Sequence, residues 1–174
     1  MGRISEIDRF RYVWDFEARN TIRLLEALPT NQYDFRPDPK GRSLGEMAWH
    51  LSEAEAYMSQ GVATGKFDFE HAPPNLQRPR EVALLAPGYR RVHEEAVARI
   101  ASITDDKLDE EIPFYGDSRM TIRDILWGAL LFHLIHHRGQ LALMCRLAGG
   151  TPPGIYGPNR EEMEAIQKQA TAGV

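Results

Sequence analysis

The stretch TIRDILWGALLFHLIHHRGQLALMCRLAGG, residues 121–150, decides the fold. It contains no proline, opens on Thr121 with Asp124 three positions on, and stops at Gly149-Gly150. These are start and stop signals of a helix, predicted here from Thr121 to about Ala148. On a wheel of about 100° per residue, Leu126, Leu130, His133, His137, Leu141, Met144 and Ala148 share one sector. Apolar side chains in such a sector face a core. Trp127, Leu131, Leu134 and Ile135 lie outside it, so the helix is apolar nearly all round. The outer face must also be buried, by a tail helix or, as the better reading, by a second copy in a symmetric dimer.

Working outward, three further long helices are predicted. Ile7, Phe10, Trp14, Ile22 and Leu25 recur at helical spacing from about Ile7 to Leu28, and Pro29 ends that run. Asn31–Arg42, with Pro37, Pro39 and Gly41, reads as a loop. Ser43 and Glu46 then form a capping box ahead of the stripe Leu44, Met47, Leu51, Ala54 and Met58. Gly61–Arg78 reads as a long loop over one end of the bundle. A third helix is predicted from about Arg80 to Ile103, with Pro87-Gly88 forcing a kink or a late start. Thr104–Met120 is polar and acidic around a short apolar Ile112–Tyr115 segment, and a tail helix is predicted from about Arg160 to Ala170. No strand alternation of any length appears. The sum is an all-α protein, a four-helix bundle with a short C-terminal tail helix, in one domain over 1–174.

Composition excludes several classes. The net charge is −4, from 21 basic and 25 acidic residues, with no basic run, which argues against nucleic acid as a partner. No apolar stretch reaches the ~18 residues of a membrane span, and Met-Gly-Arg-Ile-Ser-Glu at the start lacks the apolar core of a signal peptide. The single cysteine, Cys145, allows no internal disulfide and fits a cytoplasmic location. Lying off the histidine sector, it reads as a packing residue.

The candidate chemistry lies in the histidines. His133 and His137 are one turn apart on one face, a spacing that lets two imidazoles converge on one ion. His50, at the edge of the second helix's stripe, would join them by leaning inward. Three imidazoles suit zinc, nickel, copper or iron and leave a coordination position for water or substrate. Spacing alone leaves open a metal-free bundle whose buried histidines are simply hydrogen-bonded. His136 projects to the side and is a poorer ligand. His71, in the proline-rich loop, and His93, on a charged stretch of the third helix, read as solvated; Trp49 reads as core or interface. Glu53, one turn from His50, could orient it or move a proton, although an exposed helix carboxylate is the simpler reading. Gln140 could hydrogen-bond into the site. Arg138 reads as a surface or dimer-contact residue.

The run His133-Leu-Ile-His-His137-Arg-Gly-Gln140 resembles the signature of the DinB-like (DinB/YfiT) metal-dependent bundle family. So does Ser43-Leu-Gly-Glu46-Met-Ala-Trp-His50-Leu, supported by Arg36-Pro37 and the Gly-Gly-Thr-Pro-Pro tail. The resemblance covers nearly the whole chain. It implies a four-helix bundle, usually a homodimer, with a divalent metal on His50, His133 and His137. It also implies a small-molecule substrate, and for some similar proteins transfer of a low-molecular-weight thiol such as bacillithiol, mycothiol or glutathione. Others look like metal-dependent hydrolases. A non-enzymatic metal-binding or stress-response module is the third alternative.

Overall fold

A computed structural model describes residues 4–172. Residues 1–3 and 173–174, the two ends of the span read as one domain, lie outside the described residues; so does the start of the N-terminal stretch.

The helices are α1 (Glu6–Glu26), α2 (Leu44–Thr64), α3 (Leu85–Arg99), α4 (Ile122–Asp124), α5 (His133–Leu147) and α6 (Arg160–Ala172). A π-helical stretch, Ile125–Phe132, joins α4 to α5, so these three pieces form the fourth long helix. Helix α2 packs on α3 and on the π–α5 unit, and α1 packs on the same two neighbours from the other side. The all-α bundle is therefore as predicted.

Local chemistry sets the ends. Ser5 accepts from the backbone N–H of Asp8 to start α1, with Glu6 and Asp8 placed favourably in its first turn. The Ser43–Glu46 capping box forms in both directions at α2. Arg36 lies 2.8 Å from Glu46 and is the first reason that its carboxyl is held down to about 2. The loop that ends at Arg42 is thus tied to the first turn of the helix that carries His50.

Helix α2 ends later than expected, and of the kink or late start expected for α3 the late start is found, each for a physical reason. Helix α2 continues through Gly61, where the sequence predicts loop, and stops at Gly65 with φ 70. Gly61 is there for contact: a Cβ on it would come within 2.1 Å of the Phe67 ring. Helix α3 starts late, after a 3₁₀ turn at Val82–Leu84, and Pro87 falls in its first turn, where a missing N–H costs nothing. Gly88 lets Trp49 close in, its absent Cβ position being 2.7 Å from the indole, so Trp49 is core.

The polar segment after α3 also holds a small hairpin, β1 (Glu111–Pro113) with β2 (Arg119–Thr121), antiparallel with Ile112 opposite Met120. Its turn carries Phe114 and Tyr115 against Phe67 and Phe69 of the loop after α2. Two loops thus meet over one end of the bundle.

In the fourth long helix, i→i+5 bonding adds a residue to each turn. Register therefore shifts between Leu126 and His133, and one ideal wheel does not describe both ends. The buried line of α5 runs through Leu134, Arg138, Leu141 and Cys145, with His133 and His137 half-buried at its edge. Leu131 and Leu134 are buried within the chain, and Trp127 and Ile135 pack partly against its core.

Candidate metal centre

His50 comes from the second turn of α2, and His133 and His137 from the first turns of α5, which is packed against it. Nε2 of His50 and Nε2 of His133 are 3.1 Å apart. The ring centroids lie 5.3 Å (His50–His133), 4.7 Å (His50–His137) and 4.4 Å (His133–His137) apart. One ligand nitrogen from each lies within 4.8 Å of the other two, so the three could hold a metal ion. Nitrogens at ~2.0–2.1 Å from a tetrahedral zinc are about 3.3–3.4 Å from one another. The His50 and His133 nitrogens, 3.1 Å apart, are close to that spacing, and a His137 nitrogen lies within reach of the same point, so the donor set fits.

Burial and repulsion from neighbouring cations favour the uncharged form of two of these rings, His133 and His137. His133 is lowered to about 4, first by desolvation, then by His137, His50, His136 and Arg42. His137 is also lowered, again first by burial. Neutral imidazole is the ligand form, so at pH 7 protons compete little for His133 and His137.

Two side chains flank the rings. Gln140 Oε1 accepts from Nδ1 of His137 at 2.7 Å, which fixes the tautomer and leaves Nε2 as the free donor atom. Glu53 Oε2 lies 3.5 Å from Nδ1 of His50. Glu53 is also bonded to Arg78 at 3.0 Å, so it is a half-buried, paired group and not the exposed carboxylate of the simpler reading. Burial acts to raise its pKa, but the His50 ring and the Arg78 guanidinium together pull it below the usual carboxylate range. Arg78 also reaches within 3.8 Å of Glu46. A chain of alternating charge, Arg36–Glu46–Arg78–Glu53, therefore ends on His50. His136 points to solvent and His71 is exposed, bonded to Asp68 at 2.9 Å.

Two expectations are corrected. His93 is not solvated: it is buried, and its Nδ1 lies 2.8 Å from Glu55. Glu55 is 0% exposed and also accepts from Trp14 and Tyr89. Burial opposes charge on His93, yet Glu55 and then Asp15 outweigh it and raise the pKa. His93 follows Val92 and lies four residues from Tyr89, both on the buried stripe, which was the missed signal. Arg138 is no surface residue either. It is 2% exposed, 2.5 Å from Glu17 Oε2, and donates to the Glu17 carbonyl at 2.9 Å and to Tyr156. Its guanidinium ties α5 to α1 and to the segment before α6. Cys145 is buried, as a packing residue should be.

A cavity of about 190 Å³ opens beside the histidines, bordered by His50, His133 and Glu53. His137 does not line it.

The sequence profile of the DinB superfamily matches residues 14–141. The uncharacterized protein YrdA of Bacillus subtilis (strain 168) is 32% identical over 163 residues, 90% of this chain and 91% of YrdA. Among crystal structures, a DinB-like protein from Bacillus cereus ATCC 10987 superposes with a TM-score of 0.71 at 29% identity, covering 84% of this chain and 95% of that one. The DinB-like protein YjoA of Bacillus subtilis gives 0.66 at 25% identity, covering 87% and 99%.

Proposed function

We propose that this chain, which belongs to the DinB superfamily, binds one divalent metal ion on His50, His133 and His137 and activates a low-molecular-weight thiol for transfer to a small electrophile. Zinc or nickel is the proposed ion, because three neutral imidazoles suit either. When bound, it would supply the Lewis acidity that holds a thiol as thiolate, the nucleophilic form.

The chain's own residues have separate tasks. Gln140 keeps Nδ1 of His137 protonated and its Nε2 available. Glu53 orients His50, and Arg78 neutralises Glu53. The cavity beside His50 and His133 gives a small molecule access to the site.

The observation that carries the preference for transfer over hydrolysis is the state of Glu53. Hydrolysis of an amide must return a proton to the leaving amine, which calls for a group that exchanges one near neutrality. Glu53, paired with Arg78 and pulled below the usual range, is suited to orient and not to shuttle. A thiol held by such an ion would ionise near neutrality and release its proton to solvent, and a halide leaving group on the electrophile would depart as an anion that needs no proton from the protein.

A homodimer and a cytoplasmic location complete the proposal. Exposed Phe132, Leu143 and Leu147 on the fourth long helix support the first, and the free thiol of Cys145 is consistent with the second. The test is to incubate the metal-loaded protein with bacillithiol, mycothiol or glutathione and monochlorobimane. Turnover that requires metal and disappears in His133→Ala is expected. No turnover above the metal-free protein with any thiol contradicts the proposal, and metal-dependent ester or amide hydrolysis without thiol would favour a hydrolase.

A further inference from the structure

We infer that the cavity beside the histidines is a subsite for one uncharged aromatic ring of the small molecule brought to them. The inference deepens the proposed function and rests on it for the identity of that molecule as the electrophile. Beyond the polar border of His50, Glu53 and His133, the walls are Ala54, Tyr57, Met58, Phe69 and Tyr115. Three separate segments supply them: α2, the loop after it, and the turn of the hairpin.

Size is the first argument. An apolar cavity of about 150 Å³ is enough to take up benzene. At about 190 Å³ this one holds a ring and a short link toward the histidines.

Geometry is the second. Phe69 and Tyr115 are stacked with centroids 4.5 Å apart and planes 3° from parallel, and Phe67 stacks behind Phe69 at 5.6 Å. Tyr57 lies 5.9 Å from Phe69 on the α2 side. Gly61 admits Phe67, so the stack is seated by a residue that has no side chain to give. Stacked or edge-on partners at such spacing attract a further ring beyond the area they bury.

Exposure is the third. Phe69 is 39% and Tyr115 56% exposed, although both border a recess and not open surface alone. Their remaining contact with water is what a bound ring would remove. Charge is the fourth: the one ionisable carboxylate at the border, Glu53, already has Arg78 as its partner, so nothing there calls for a charged ligand.

The test uses 4-fluorobenzyl alcohol as the ring probe and 2,2,2-trifluoroethanol as its ring-free counterpart, with binding followed by fluorine NMR. Saturable binding of the first and not the second is expected, both in the metal-free protein and in the cobalt-loaded one. Cobalt should in addition broaden the bound ring's signal. Tyr115→Ala, at an exposed turn that leaves the bundle intact, should weaken binding about threefold to tenfold, as loss of one stacking partner implies. Ala54→Phe, which fills the recess, should abolish it, with circular dichroism confirming the fold. Equal behaviour of the two probes, or binding indifferent to Tyr115→Ala, overturns the subsite. Ring binding without any cobalt effect supports the subsite while contradicting the metal site, so the two readings fail separately.

Discussion

Replacing Gln140 by alanine removes the acceptor that holds Nδ1 of His137, and the consequence for metal affinity can be worked from the structure. The bond is 2.7 Å long, between a half-buried imidazole and an exposed amide. A hydrogen bond of this kind contributes about 0.5–1.5 kcal/mol net. Because Gln140 is exposed, water can take the place of Oε1, which selects the lower part of that range. About 0.5–1 kcal/mol corresponds to a two- to fivefold weaker Kd, below the ~10–100-fold typical of buried partners of metal ligands. Gln140→Glu goes the other way, since a carboxylate acceptor makes the imidazole a more basic ligand. Competition against a chromophoric chelator at pH 7.5 measures both. The order expected is glutamate tighter than glutamine, and glutamine tighter than alanine. If alanine and glutamate both leave Kd unchanged, or both weaken it equally, the orienting role assigned to Gln140 is wrong.

Other outcomes follow from the same geometry. His133 has a folded pKa near 4, below its ordinary value of about 6.5. The unfolded chain therefore binds more protons between these values, and the stability that neutral His133 represents is complete above about 6.5 and lost as pH falls toward 4. Metal-free protein should lose Tm across that window more steeply than metal-free His133→Ala; equal slopes would contradict the assignment. Arg138→Ala leaves Glu17 buried without its cation, which should cost about 3–5 kcal/mol, or roughly 6–20 °C in Tm. Combined Glu17→Leu and Arg138→Leu should recover most of it, and a small shift in the single variant would refute the buried-pair account. Gly61→Ala should be destabilising by about 1 kcal/mol in urea unfolding despite alanine's better helix propensity, because its Cβ meets Phe67; a gain in stability would show that the Phe67 ring yields freely.

The bundle was legible because its signals are local. The capping box at Ser43, Pro29 after α1 and the glycines after α5 act on neighbouring backbone, and the histidine spacing is a property of one helix. What escaped depends on partners distant in sequence. Arg138 looks like a surface cation until Glu17, from the first helix, is placed against it. His93 looks solvated until Glu55 is known to be buried beside it. Gly61 looks like a loop residue until Phe67 folds back onto it. The register change in the π-helical stretch had no sequence signal, because apolar residues surround that segment on every side. The meeting of His50 with the other two histidines likewise rests on the packing of α2 against α5. For His50 the sequence offered only a place at the edge of a stripe and a family resemblance.

The most direct test of the central claim is the metal content of protein purified without an affinity tag, measured by elemental analysis alongside His50→Ala, His133→Ala and His137→Ala. The account predicts one equivalent of a divalent transition metal per chain in the native protein. Each variant should fall well below one equivalent while remaining folded. Native protein that neither carries nor takes up a stoichiometric ion, or variants that retain a full equivalent, would contradict it.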